Sequence, residues 1–149
     1  MNLQEVINNL EQHRNENIKK IFIRHGTKEP FYGVKVEELK KIQKQIQIDH
    51  DLAMELYETG NSDAMYLAWL LADPLKMTET DLNNWANKAY WYMISEYTIP
   101  SLASRSKHGK SIALKWIDSP KENIASAGWV ILSAILRFQS DNSLDTIEV

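Results

Sequence analysis

Residues 52–71 read LAMELYETGNSDAMYLAWLL, and sixty residues further on, at 112–131, stands IALKWIDSPKENIASAGWVI. The two stretches overlie one another without a gap. Leu52 falls on Ile112, Ala53 on Ala113, Leu56 on Trp116, Glu58 on Asp118 and Trp69 on Trp129. Each has apolar residues at helical spacing, a short polar break, and a second apolar stretch, which predicts helix, tight turn, helix. Between them LNNWANKAYWYMISEYTI (82–99) reads as a more diverged unit. A unit that recurs at a fixed interval hides its apolar face only against its neighbours, which is how an α-solenoid is built. The expected fold is all-α: an α-solenoid of antiparallel helical hairpins.

The rest of the chain agrees with that reading. Leu3, Val6, Ile7 and Leu10 make one apolar stripe, Ile18, Ile21 and Phe22 a second, and Val36, Leu39, Ile42 and Ile46 a third. The breaks between stripes carry helix signals. Gly26 and Gly60 stand where helices should end, and Asn61 can cap the next one. Pro74 stops a helix at Asp73. Thr78 to Asp81 forms a capping box, and Ser119 to Glu122 a second with Pro120 at its first helical position. SDNSLDTIEV (140–149) reads as a cap and the start of another helix, so residues 1–149 are expected to form one repeat domain that is incomplete at its C-terminal end.

Composition limits the chemistry. The 149 residues are 44% hydrophobic and 25% charged, ordinary for a globular protein. Cysteine is absent, which removes thiol nucleophiles, disulfides and thiolate metal sites, and fits a cytoplasmic protein. His13, His25, His50 and His108 are scattered without metal-ligand spacing, so no metal and no cofactor is expected. HGKS (108–111) lacks the glycine that a phosphate-binding loop needs five positions before Gly109; Ser104 is there. No apolar run is long enough to cross a membrane.

The net charge of −3 is unevenly spread. Between Arg14 and Lys44 nine Lys/Arg face four acids, between Asp49 and Asp81 eight acids face Lys76 alone, and between Arg105 and Lys121 five basic residues face Asp118 alone. Such segments are either solvated helix faces or a basic stripe on a mildly acidic protein. Residues 89–110, AYWYMISEYTIPSLASRSKHGK, set Tyr90, Trp91, Tyr92 and Tyr97 around Glu96 just ahead of Arg105, Lys107 and Lys110. Read as one α-helix, these rings point in all directions, more than one buried face needs. Two readings are open: a central helix buried nearly all round, or a nucleic-acid surface on which bases stack while cations neutralise phosphates. Pro100 should kink or end this helix.

The stretches PFYGVKVEELKKIQKQI (30–46), ELYETGNSDAMYLAWLLADP (55–74), YWYMIS (90–95) and IASAGWVILSAI (124–135) resemble the DNA alkylation repair family, the AlkD-like HEAT-repeat DNA glycosylases. The resemblance implies a HEAT-like, ARM-type superhelix with a basic groove for double-stranded DNA, and hydrolysis of the N-glycosidic bond of cationic alkylated purines. It also implies three functional positions. A tryptophan that packs against the lesion's backbone matches Trp91. An aspartate four residues later matches Ser95, which carries no charge. An arginine on a later helix falls at Ala125 or Ser126. Glu96 is adjacent to Ser95, but one step along an α-helix turns a side chain by about 100°, so Glu96 reaches the same place only through a local bulge. A carboxylate aimed at developing positive charge is worth about 100-fold or more in rate.

The resemblance and the residues together give Trp91, Tyr92, Ser95, Lys35, Arg105, Lys107 and Lys110 as nucleic-acid contacts and Glu96 as the one candidate acid. The expected function is DNA binding with base excision weak or absent. Two alternatives are an active alkylpurine glycosylase that uses Glu96, and a helical-repeat scaffold for a protein partner, which the acidic 49–81 segment favours.

Overall fold

A computed structural model describes residues 1–138, and these are all-helical. Residues 140–149, read above as the start of a further helix, lie outside the described residues. Among the described residues there are nine α-helices: α1 (Leu3–Gln12), α2 (Glu16–Arg24), α3 (Val36–Ile46), α4 (His50–Glu58), α5 (Ser62–Leu71), α6 (Glu79–Lys88), α7 (Ile99–Ala103), α8 (Gly109–Trp116) and α9 (Glu122–Phe138). A short 3₁₀ turn, Pro74–Lys76, precedes α6, and a π-helical segment, Met93–Thr98, runs directly into α7. None of the helices is long and apolar enough to cross a membrane. The chain divides into two compact units, residues 1–73 and residues from 74 onward.

The first unit contains α1 to α5, with α3 packed on α5, α1 on α4 and α5, and α4 closely on α5. All of its helices except α3 start where a polar side chain takes up free backbone N–H groups. Asn2 accepts from Glu5 N while Glu5 reaches back to Asn2 N; Asn15 accepts from Ile18 N and Asn61 from both Asp63 N and Ala64 N. Leu52, Ala53, Leu56 and Tyr57 of α4 meet Ala64, Leu67, Ala68 and Leu71 of α5 in a fully buried seam.

One carboxylate ties the long connection between α2 and α3 to this seam. Asp63, 3% exposed, accepts from the backbone N–H of Tyr32 at 2.6 Å, Gly33 at 3.1 Å and Val34 at 3.0 Å. Burial pushes its pKa up, while the three donors act in the opposite direction by favouring the charged form. The chain at Gly33 has φ +79°, and a Cβ there would lie 2.7 Å from Lys19 N and 2.8 Å from Asn15 O. Only glycine lets the PFYGV segment lie so close to α2 while it offers its N–H groups to Asp63.

In the second unit α8 packs closely on α9, α7 and the π segment also lie on α9, and α6 touches α7. The pairs α4–α5 and α8–α9 are the two copies of the sequence repeat, and they are the two most closely packed pairs of helices. Gly128 sits at the crossing of α8 and α9. A Cβ there would stand 2.9 Å from Ile117 N and 3.0 Å from Ala113 O. The second capping box differs from its sequence expectation. α9 begins at Glu122, and Lys121 rather than Ser119 is the residue whose carbonyl starts it, accepting from Ile124 N and Ala125 N. Ser119 instead closes a local turn by accepting from Lys121 N. Pro120 therefore lies ahead of the helix, not at its first position.

Three residues one turn apart on α6 bind the far end of α8 and the start of α9. Glu79 pairs with Lys115, Asn83 Oδ1 accepts from Trp116 Nε1 at 2.8 Å, and Asn87 Oδ1 accepts from Lys121 Nζ at 2.8 Å. Lys115 and Lys121, both in the basic 105–121 segment, are thus engaged within the fold.

Three substitutions test this framework. Asp63→Asn leaves buried donors unmet and is expected to cost about 2–4 kcal/mol in urea unfolding. Gly128→Ala forces α8 and α9 apart and is expected to cost about 1–3 kcal/mol in the same measurement. The Lys115 hydrogen bond holds the Glu79 carboxyl below its ordinary value of 4.5. A lowered carboxylate pKa adds stability that is present above the unfolded value and lost as pH falls through the folded one. Lys115→Gln should therefore flatten the fall in melting temperature between about pH 5 and pH 2 relative to the unaltered protein, by a small amount because Glu79 is solvent-exposed.

Candidate nucleic-acid interface

The aromatic stretch does not form the continuous α-helix that its periodicity suggests. Ala89 closes α6, residues 89–91 are non-helical, and helix resumes at Tyr92. From there the turn is wider than α. The N–H of Ile99 donates to Ile94 O, five residues back, and Thr98 Oγ1 reaches Met93 O, also five back. Pro100 accounts for this. It has no N–H to give to the carbonyl four residues earlier, that of Glu96, and its ring would strike that carbonyl in α register. Widening the preceding turn by one residue relieves the clash, so the helix passes through the proline into α7 without ending.

The wide turn has a consequence for the side chains. With one extra residue per turn, two successive residues come round to the face that one would occupy in an α-helix. Ser95 and Glu96 both line the same cleft as Trp91. This is the local bulge that the sequence reading required of Glu96.

The cleft has a volume of about 420 Å³, within the range of small-ligand sites. Ala89, Tyr90, Trp91, Tyr92, Ser95 and Glu96 form one wall; Glu122, Asn123 and Ser126 on the first turns of α9 form the other. Asn123 Nδ2 donates to Ala89 O at 3.3 Å and holds the walls together. Trp91 is 6% exposed and meets Tyr92 edge-on, with ring centroids 5.8 Å apart; Tyr92 is 41% exposed at the rim. Trp91 is a wall of the cleft more than a surface residue, and Ser95 is buried with its Oγ turned toward Trp91 O at 3.5 Å.

Of the two positions matched to the family's arginine, Ser126 lines the cleft and Ala125 does not. In the sequence Glu122 reads only as part of a capping box, and Asn123 is not singled out at all. Glu122 stands four residues before Ser126, hence on the same helix face, and that spacing is the signal that identifies it. The lining holds two carboxylates, hydroxyls and an amide, but no Lys, Arg or His. Such a cleft suits a neutral or cationic group against aromatic rings and disfavours phosphate. No group of three or more His, Asp or Glu that could hold a metal ion occurs among the described residues.

The basic candidates lie outside the cleft lining. Arg105 follows α7, and its Nε donates to Ser101 O at 3.1 Å, where a cation complements a helix C-terminus. Lys107 is exposed in the turn before α8, and Lys110 is half-exposed on the first turn of α8. Lys35 is exposed as the residue that precedes α3 in the first unit. The structure thus brings Trp91, Tyr92, Ser95 and Glu96 into one cleft, and none of the four cations is part of its lining.

Comparison with known proteins gives this arrangement a context. A solved structure, described as belonging to a new family of proteins related to the HEAT-like repeat DNA glycosylases with affinity for branched DNA structures, matches with a TM-score of 0.91 and 41% identity, over 96% of this chain and 61% of that one. An uncharacterized protein of Listeria innocua is 35% identical over 125 residues, which is 80% of this chain and 55% of the relative. One from Listeria monocytogenes is 34% identical with the same coverage. The chain spans little more than half the length of these relatives. The family model for the DNA alkylation repair enzyme matches residues 6–148, nearly the whole sequence, so this chain belongs to the DNA alkylation repair enzyme family.

Proposed function

We propose that this chain is a DNA-binding member of its family, acting in the cytoplasm on double-stranded and branched DNA, with base excision weak or absent. The observation that carries the proposal is the make-up of the cleft. It keeps Trp91, yet it presents Ser95 and Ser126 where the family resemblance puts an acid and an arginine. The scaffold is retained while two of the groups that would support bond cleavage are not. The description of the structurally similar protein supports branched DNA as the form to test first. Phosphate contacts fall to Lys35, Arg105, Lys107 and Lys110, since the cleft itself is acidic.

Titration of labelled duplex and three-way-junction DNA at several salt concentrations tests the proposal. Affinity should fall as salt rises, and the junction should bind more tightly than the duplex. Lys107→Gln should weaken binding to every sequence alike and reduce the slope of log affinity against log salt by about 1, while Lys115→Gln, whose cation already serves Glu79, should leave the slope unchanged. Absence of salt-sensitive binding to either DNA, together with nuclease-resistant capture of a protein, would replace this proposal with the scaffold reading.

The π turn favours a second reading, excision with Glu96 as the acid, because it brings that carboxylate into the cleft beside Ser95. Release of methylated purine from alkylated DNA should then drop by about 100-fold or more in Glu96→Gln. Equal release by the two proteins removes Glu96 from the chemistry, and no release by the unaltered chain supports binding alone.

A further inference from the structure

Trp129 has no role in the cleft or in the core. It projects from α9 with 52% of its surface exposed, one turn beyond the cleft residue Ser126. Most large rings are buried because exposing them forfeits the free energy of burial. No side-chain hydrogen bond or ring contact joins Trp129 to another described residue, whereas its counterpart in the first repeat is engaged. There Trp69 meets Tyr66 edge-on, with centroids 6.0 Å apart at 81°. The sixty-residue shift places Ser126 on Tyr66. The second repeat therefore keeps the tryptophan and replaces the ring that occupies it with a small side chain, and that same side chain helps form the cleft.

Trp129 lies on a face of α9 that is polar toward the start of the helix and apolar toward its end. One turn away along its side of α9 stand Ala125 and Ser126 on one side and Leu132 and Ser133 on the other, with Glu122 two turns back and Leu136, 43% exposed, two turns on. The polar half of this face, Glu122 and Ser126, is the half that lines the cleft. Trp129 stands one turn past the polar half, and the cleft's other wall carries the exposed ring of Tyr92.

We propose that Trp129 is a stacking platform for an unpaired nucleobase, held at the rim of the Trp91 cleft when the chain binds a DNA branch. The inference rests on the DNA-binding reading above and deepens it. A duplex keeps its bases stacked on one another, but a junction or gap offers bases whose faces are free, and an exposed indole takes up such a face without regard to base identity. Base stacking near an acidic cleft also explains how DNA can approach that cleft without placing a phosphate in it. Discrimination of branched from linear DNA then comes from the ring, and general affinity from the cations.

The test compares Trp129→Ala and Trp129→Phe with the unaltered chain, each checked by circular dichroism melting, on three DNAs: a matched duplex, a three-way junction with two unpaired bases at its centre, and the same junction fully paired. Trp129→Ala should lose about ten-fold to hundred-fold in affinity for the junction with unpaired bases and less than two-fold for the duplex, and Trp129→Phe should recover most of the loss. Equal losses on all three DNAs, or none on any, would overturn the stacking role while leaving the DNA-binding reading intact. A change in sedimentation from one species to another on Trp129→Ala, with junction affinity unaltered, would also overturn it, by showing the ring to be a packing surface. If the unaltered chain binds none of the three DNAs, the failure lies with the DNA-binding reading.

Discussion

The structure of the site depends on the missing hydrogen of one proline. Pro100 sits in the middle of a helix that the surrounding residues bury, with Ile94, Thr98, Ile99 and Leu102 all fully shielded. Burial on that scale keeps the segment helical, while the proline forbids α register through it. The π turn satisfies both requirements. It preserves the packing of α7 and the π segment on α9 and changes which side chains face the cleft. The acidic character of the cleft is thus set by a backbone constraint as much as by the identity of any residue in it.

The cleft also depends on how α9 is held. Gly128 lets α9 lie directly on the α8 backbone, and the polar bonds from Asn83 and Asn87 fix the end of α8 and the start of α9 against α6. Asn123 then joins α9 to Ala89 across the cleft. The wall that carries Glu122 and Ser126 is a continuation of the hairpin core, so the second copy of the sequence repeat supplies half of the site.

Much of the fold could be read from the chain alone. The sixty-residue match marks the two hairpins that pack most closely, and Asn61 and Thr78 start helices as their side chains imply. These features are local, and local chemistry decides them. The readings that changed involve choices local pattern does not settle. Pro120 and Ser119 fit a capping box, but the helix starts at Glu122. Asp63 looks like an ordinary acid in the first turn of a helix, yet its carboxylate holds a loop thirty residues upstream. Pro100 reads as a helix breaker in a table of propensities, and tertiary packing makes it a register shifter. For the site, Trp91, Tyr92, Ser95 and Glu96 were legible as neighbours, whereas Glu122 and Asn123 belong to a different helix and join them only through the packing of α9.

A π turn is an α-helix with one residue too many, and this has a meaning for how such a cleft changes over generations. Substitution alters one side chain at a time and leaves the others where they are. Loss of a single codon between Met93 and Thr98, combined with replacement of Pro100, would instead restore α register, turn every residue ahead of the deletion by about a quarter of a circle, and leave one position where Ser95 and Glu96 now share the face. The proline therefore guards the charge of the cleft: while Pro100 stays in place, a deletion alone would drive its ring against the carbonyl four residues earlier, so the two changes must come together.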